Sequence, residues 1–304
     1  WHEKPSWDLN LRTTQDGLNP GYFAQDDSLN GRIPFTLTAS GQGFEPPEEQ
    51  ASDSGIWRLN LEVPEPVLAD FEATQVITVN AEIDAINVDA NLNFRTRGEA
   101  GIRLTAGLRQ WQSPRPDWEF DMTGEALNFA ELLNNDALTS NINLGVRGEG
   151  KGYMPEDALA DVRVNVKPSR FLDEPIERIN SELVLENGIL NVRNTEFESR
   201  FFNGYLSARQ KLNDIKDDDN RLDFDFEVRN LEAFAEVAGL DTLHSSGRLS
   251  GQLRPVENVL RFDSELQFSS LQADSVYVEE ITGSLGLALK TAPEMELFLD
   301  ARAP

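Results

Sequence analysis

Residues 179–212 read INSELVLENGILNVRNTEFESRFFNGYLSARQKL, and the period of this stretch decides the fold. Ile179, Ser181, Leu183 and Leu185 alternate with polar residues. Asn187 and Gly188 follow, a pair that tolerates the positive φ of a two-residue hairpin turn. Leu190 and Val192 resume the alternation, and Phe197 and the Phe201-Phe202 pair lead into Gly204, Leu206 and Ala208. A period of two over short runs, separated by turn residues, predicts a meander of strands with one apolar and one polar face.

The same pattern extends in both directions. Upstream it covers 7–11, 33–39, 57–63, 77–83, 86–94, 102–108, 118–122, 142–146 and 160–166; downstream it covers 222–228, 249–253, 260–268, 281–289 and 295–299. At Asp84-Ala85 the phase shifts by one residue, which marks either a tight turn or a bulge. Residues 125–138 (EALNFAELLNNDAL) carry helix formers with apolar residues near helical spacing, so a short helix or turn at the sheet edge is expected there, and 230–239 begins a second short helical candidate, giving one or two short helical segments. Residues 45–55 (EPPEEQASDSG) read as an acidic surface loop.

Composition agrees with a long sheet that has one dry face. The 304 residues are 39% apolar and 26% charged, rather polar for a compact globule yet too regularly patterned for disorder. A formal net charge of −26 argues against nucleic acid as a partner and reads as a solvated outer face. Without cysteine there is no disulfide, thiolate metal site or cysteine nucleophile. No apolar run reaches the length of a membrane-spanning helix. The chain starts at Trp1 with neither Met nor a leader, so it is expected to be a mature piece or a fragment of something longer.

Catalytic chemistry finds little to work with. His2 and His244 are the only histidines, and neither stands in a nucleophile-elbow context. Asp217-Asp218-Asp219 with Asp223 lacks the spacing and closing Glu of an EF-hand loop, and reads as a solvated turn. Gly148-Glu-Gly150-Lys-Gly152 lacks the G-K-[ST] of a phosphate loop, and reads as a strand ending. The expectation is no catalytic residue, no metal and no cofactor.

An internal repeat is also present. Leu29, Ile33, Phe35, Leu37, Gly41, Gly43 and Phe44 recur as Leu138, Ile142, Leu144, Val146, Gly150, Gly152 and Tyr153. With a period of roughly 105 residues, the chain reads as one elongated segment, 1–304, built from approximate repeats 7–116, 117–219 and 220–304.

The motifs Ser246-Gly247-Arg-Leu249-Ser-Gly251-Gln-Leu253, Asn203-Gly204-Tyr-Leu206-Ser-Ala208-Arg, Ile281-Thr-Gly283-Ser-Leu285-Gly-Leu287 and Leu183-Val-Leu185-Glu-Asn-Gly188-Ile-Leu190 resemble those of the AsmA-like, TamB-type family of bacterial envelope proteins. The resemblance runs from about Trp57 to Leu299, and the N-terminal part departs from it. It implies an all-β fold, a long antiparallel sheet curled into an open apolar groove (a β-taco). It also implies a periplasmic segment of a Gram-negative bacterium, anchored in the inner membrane through a part not in this sequence. The implied role is phospholipid transport between inner and outer membranes, and the implied partners are phospholipid and an outer-membrane barrel protein.

The residues expected to line such a groove are the alternating apolar ones. They are Ile77, Val79 and Ile83; Val88, Leu92 and Phe94; Ile102 and Leu104; Trp118, Phe120 and Met122; Leu144 and Val146; Val162 and Val164; and Leu183 and Leu185. Further on they are Phe224 and Phe226; Leu249 and Leu253; Phe262, Leu266 and Phe268; Leu285 and Leu287; and Leu297 and Leu299. Two arrangements satisfy this pattern: an open trough, or a closed sandwich whose apolar faces meet. Three functions follow: a lipid-conducting groove, a scaffold for outer-membrane proteins that adds client strands at a sheet edge, or a passive stalk of sandwich repeats.

Overall fold

The computed structural model describes residues 5–13, 17–19, 31–43, 56–64, 67–68, 71–72, 77–84, 86–95, 100–132, 139–171, 174–214, 217–230, 232, 235, 241–256, 259–289 and 295–302. The alternating runs form strands, and the fold is all-β and antiparallel. The acidic loop at 45–55 lies outside the described residues, as does most of the helical segment expected at 230–239. The chain divides into two units, Trp1–Tyr153 and Met154–Pro304.

The first unit holds β1 (Ser6–Arg12), β2 (Gly31–Arg32), β3 (Thr36–Gln42), β4 (Trp57–Val63), β5 (Val67–Leu68), β6 (Phe71–Glu72), β7 (Ile77–Ile83), β8 (Asn87–Arg95), β9 (Gly101–Arg109), β10 (Asp117–Leu127) and β11 (Ser140–Lys151). β1, β3, β4 and β7 to β11 pair in that order as an antiparallel meander. β2, β5 and β6 form a small separate sheet. The phase shift at Asp84 is a tight turn: Asp84 N–H donates to the Asn87 carbonyl at 2.9 Å, and the Asp84 carboxylate accepts from the N–H groups of Ile86 (2.7 Å) and Asn87 (2.6 Å).

The short helix or turn expected within 125–138 is present as a single helical turn. Strand β10 continues to Leu127 through a bulge at Ala126, whose φ is 51°, and only α1 (Phe129–Leu132) is helical. Leu127 is buried opposite Ile142, so packing overrides the local helix propensity. Residues 133–138 lie outside the described residues.

Two hairpins of this unit share the same fastenings. Gly43 N–H donates to the Pro5 carbonyl at 2.9 Å, and Gly152 N–H donates to the Pro116 carbonyl at 2.9 Å. Trp7 Nε1 donates to the Gly43 carbonyl at 2.5 Å, and Trp118 Nε1 donates to the Gly152 carbonyl at 3.1 Å. Asn19 Oδ1 accepts from Gly31 N–H at 3.1 Å, and Asn128 Oδ1 accepts from Ser140 N–H at 3.2 Å. The sequence likeness between the two stretches is therefore also a likeness of hydrogen bonding.

The second unit holds β12 (Leu159–Val166), β13 (Ser169–Phe171), β14 (Glu174–Glu186), β15 (Ile189–Ser199), β16 (Phe202–Lys211), β17 (Arg221–Val228), β18 (Leu243–Val256), β19 (Val259–Ala273), β20 (Val276–Val278), β21 (Ile281–Leu289) and β22 (Met295–Arg302). β12 and β14 to β19 pair successively, and β21 and β22 continue from β19. The turn between β14 and β15 has Asn187 at φ 52° and Gly188 at φ 74°, the left-handed pair that a two-residue hairpin needs. Residues 217–219 do form a turn: Asp217 accepts from Asp219 N–H at 2.9 Å, and Asn220, only 2% exposed, donates to the Asp214 carbonyl at 2.8 Å.

Candidate functional site: two apolar sheet faces

Register converts the alternation into continuous rows. In the first unit Leu11, Leu37, Leu61, Val79, Leu92, Leu104, Met122 and Val146 stand opposite one another from β1 to β11. A parallel row runs Leu9, Ala39, Leu59, Ala81, Ala90, Ala106, Phe120, Gly148, and Ile83, Val88, Leu108 and Trp118 belong to a third. Phe94, Ile102, Gly124 and Leu144 lie in a fourth, beside Ile77. Every groove-lining residue expected in this unit thus falls on one face. That face also takes in Leu9, Leu11, Leu37, Leu59 and Leu61, whose strands lie mostly before the stretch covered by the family resemblance.

In the second unit one row is Val162, Leu183, Val192, Ala208, Leu222, Leu253 and Phe262. Another is Val166, Ile179, Phe197, Gly204, Phe226, Leu249 and Leu266. Val164, Leu185, Phe224 and Phe268 take positions on this same face. Leu285 stands at the register position opposite Ser264 and Leu299, and Leu287 opposite Phe262 and Leu297; the side chains of these four leucines lie outside the described residues. The face carries a polar notch where Ser181 and Thr195 hydroxyls lie 2.6 Å apart beside a bulge at Asn194 (φ 48°), and Ser264 is buried between Phe262 and Leu266.

Five phenylalanines form a connected floor. Phe224 stacks on Phe262 at 5.5 Å and on Phe226 at 5.9 Å, while Phe197 and Phe202 meet Phe226 edge-on at 5.9 and 5.5 Å. Glycines on the neighbouring strands make the room, because a Cβ at Gly204 would meet Phe226 Cδ1 at 2.4 Å.

Burial separates the open from the closed arrangement within each unit. Of the lining residues expected in the first unit only Phe94 is buried, and in the second only Phe224; the others whose side chains are described are half-buried. The inner faces of a closed sandwich interdigitate at native density and bury such residues almost fully. Among the described residues, then, the apolar faces are not covered along most of their length. Apart from Ala39 and Phe224 in mid-strand, several of the buried side chains gather at one end of the strands, with Val63, Phe94, Leu127 and Ile142 in the first unit and Val166, Phe201 and Val228 in the second.

The opposite faces are polar and exposed, and ion pairs cross them. Arg58 lies 3.1 Å from Glu82, Arg109 2.8 Å from Asp89 and Arg147 2.5 Å from Asp121. In the second unit the Arg248 guanidinium holds the Asp225 carboxyl below the usual carboxylate range by hydrogen bonding. Such exposed pairs contribute about 0–1 kcal/mol each, so these faces favour solubility more than stability. Two depressions lie on them, of about 980 Å³ in the second unit and about 770 Å³ in the first. Sheet twist explains their place, since a saddle is concave along one diagonal on each side. Alternation does not encode twist, and nothing in the sequence pointed to these hollows.

No cluster of His, Cys, Asp or Glu suited to a metal ion is present among the described residues. No described helix is long and apolar enough to cross a membrane. Compared with known proteins, the chain matches no family model, no curated protein and no solved structure.

Proposed function

We propose that the two apolar faces shield phospholipid acyl chains from water, and that the chain is a periplasmic segment of an AsmA-like, TamB-type protein carrying lipid between the inner and outer membranes. The observation that carries this reading is the run of apolar rows that stay half-buried. A phospholipid has roughly 30 methylene groups, each costing about 0.8 kcal/mol to expose, so crossing water bare would cost on the order of 25 kcal/mol. A face of side-by-side apolar rows removes most of that cost. The aromatic floor of the second unit adds flat, rigid surface on which chains slide without a fixed partner.

The reading is tested by native mass spectrometry with lipid extraction after exposure to phosphatidylethanolamine vesicles. Bound phospholipid, reduced by Phe226→Asp in a variant whose circular dichroism is unchanged, supports it. A clean apo mass from a folded wild-type chain sinks it and favours the scaffold function.

A further inference from the structure

The large depression of the second unit opens mainly on the polar face, with Phe197 and Gly204 of the apolar rows at its border, and it holds one residue out of character with its surroundings. Tyr205, on β16, exposes 62% of its surface in the middle of a polar face. Its register neighbours are Glu196 on β15 and Asp225 on β17. Asp225 is fixed, and Glu196 has an arginine nearby. Arg248 grips Asp225 with two donors, Nε to Oδ1 at 2.7 Å and a second through its terminal nitrogen to Oδ2. Arg178 approaches Glu196 at 3.8 Å and Glu198 at 3.3 Å. Asn203 and Gln267 add amides at the next register positions.

We infer that this depression is a binding site for a neutral oligosaccharide, with Tyr205 as the stacking platform. A sugar ring has an apolar face of C–H bonds and a rim of hydroxyls that both donate and accept. An exposed aromatic ring takes the first, and the amides, the carboxylates and the Arg248 guanidinium, held in place by Asp225, take the second. Arg248 spends two of its five N–H donors on Asp225, and each carboxylate keeps lone pairs in reserve. The hollow, about 980 Å³ and open to solvent on a sheet face, suits a chain laid along it rather than a small molecule enclosed by it. Its arginines and its acids nearly balance, which disfavours a polyanion, and its polar floor disfavours an acyl chain. The site is independent of the acyl-chain reading, since it opens mainly on the other face of the sheet.

The test is isothermal calorimetry and saturation-transfer NMR on the full chain, using chitohexaose, cellohexaose and maltohexaose at millimolar concentration. At least one binds, with saturation transferred from a tyrosine ring. Tyr205→Ala weakens it by about tenfold or more and Gln267→Ala weakens it less, whereas Tyr205→Phe keeps the affinity within about twofold. No binding of any of the three, or equal binding by wild type and a folded Tyr205→Ala variant, overturns the inference.

Discussion

The ring of Phe226 lies over Gly204, its register partner on the adjacent strand. A Cβ at Gly204 would come within 2.3 Å of the Asp225 carbonyl and 2.4 Å of the Phe226 ring. The glycines of this repeat are therefore packing residues: they let aromatic rings lie flat against the sheet and form a floor. Gly204→Ala should destabilise the second unit by about 1–3 kcal/mol, because backbone must shift to admit the methyl group. Gly145 stands on the polar face with nothing within 4 Å of its would-be Cβ, and Gly145→Ala should stay within about 0.5 kcal/mol of wild type. Urea unfolding of both variants checks this, and equal effects would contradict it.

Trp118 and Trp7 do the same work in two hairpins. Each indole lies along the apolar face and donates Nε1–H to the carbonyl of a glycine with positive φ just past the strand, Gly152 or Gly43. Trp118→Phe keeps an aromatic ring beside Phe120 but leaves the Gly152 carbonyl without this donor, at a cost of about 1 kcal/mol or somewhat more. Trp7→Phe should cost a similar amount. Thermal melts of the two variants measure it; a loss in one and none in the other would show that the two hairpins are not equivalent.

The turn at Asp84 has a pH signature. Burial pushes its carboxyl up, but the N–H groups of Ile86 and Asn87, the Asn87 side chain and Arg109 outweigh that, and the pKa falls below its ordinary value. A depressed carboxylate contributes stability that is present above its unfolded pKa and is lost as pH falls through the folded one. Asp84→Ala should therefore be less stable than wild type at neutral pH, by about 1 kcal/mol for the lost turn bonds. The gap should narrow as pH falls below the ordinary carboxylate range. Urea midpoints from neutral to acid pH follow it, and a gap that does not change with pH would contradict the assignment.

The strands and their faces were legible in the sequence because the period of two governs both, and the turn at 187–188 because an Asn-Gly pair accepts positive φ. The lining set from Ile77 to Phe268 falls on common faces because of that same period. The membership of Leu9, Leu37 and Leu59 was not legible. A long polar connection separates β1 from β3, and only register shows that their rows continue those of β7 to β11. The short helix within 125–138 was legible from its helix formers, but its late start at Phe129 was not, since Leu127 finds a buried place opposite Ile142 as the end of a strand. The hydroxyl pair at Ser181 and Thr195 depends on a bulge, which local composition does not announce. Tyr205 looked like any strand tyrosine, because nothing in alternation says that a polar face is concave.

The account rests on the apolar faces meeting acyl chains, and photo-crosslinking tests that most directly. The chain would be incubated with phosphatidylcholine bearing a diazirine in its acyl tail, irradiated, and mapped by peptide mass spectrometry. The account predicts adducts on Leu104, Met122, Phe226 and Leu249, and none on Asn80, Asp121, Tyr205 or Asp225 of the opposite faces. Adducts spread equally over both faces, or none in a folded protein, would contradict it.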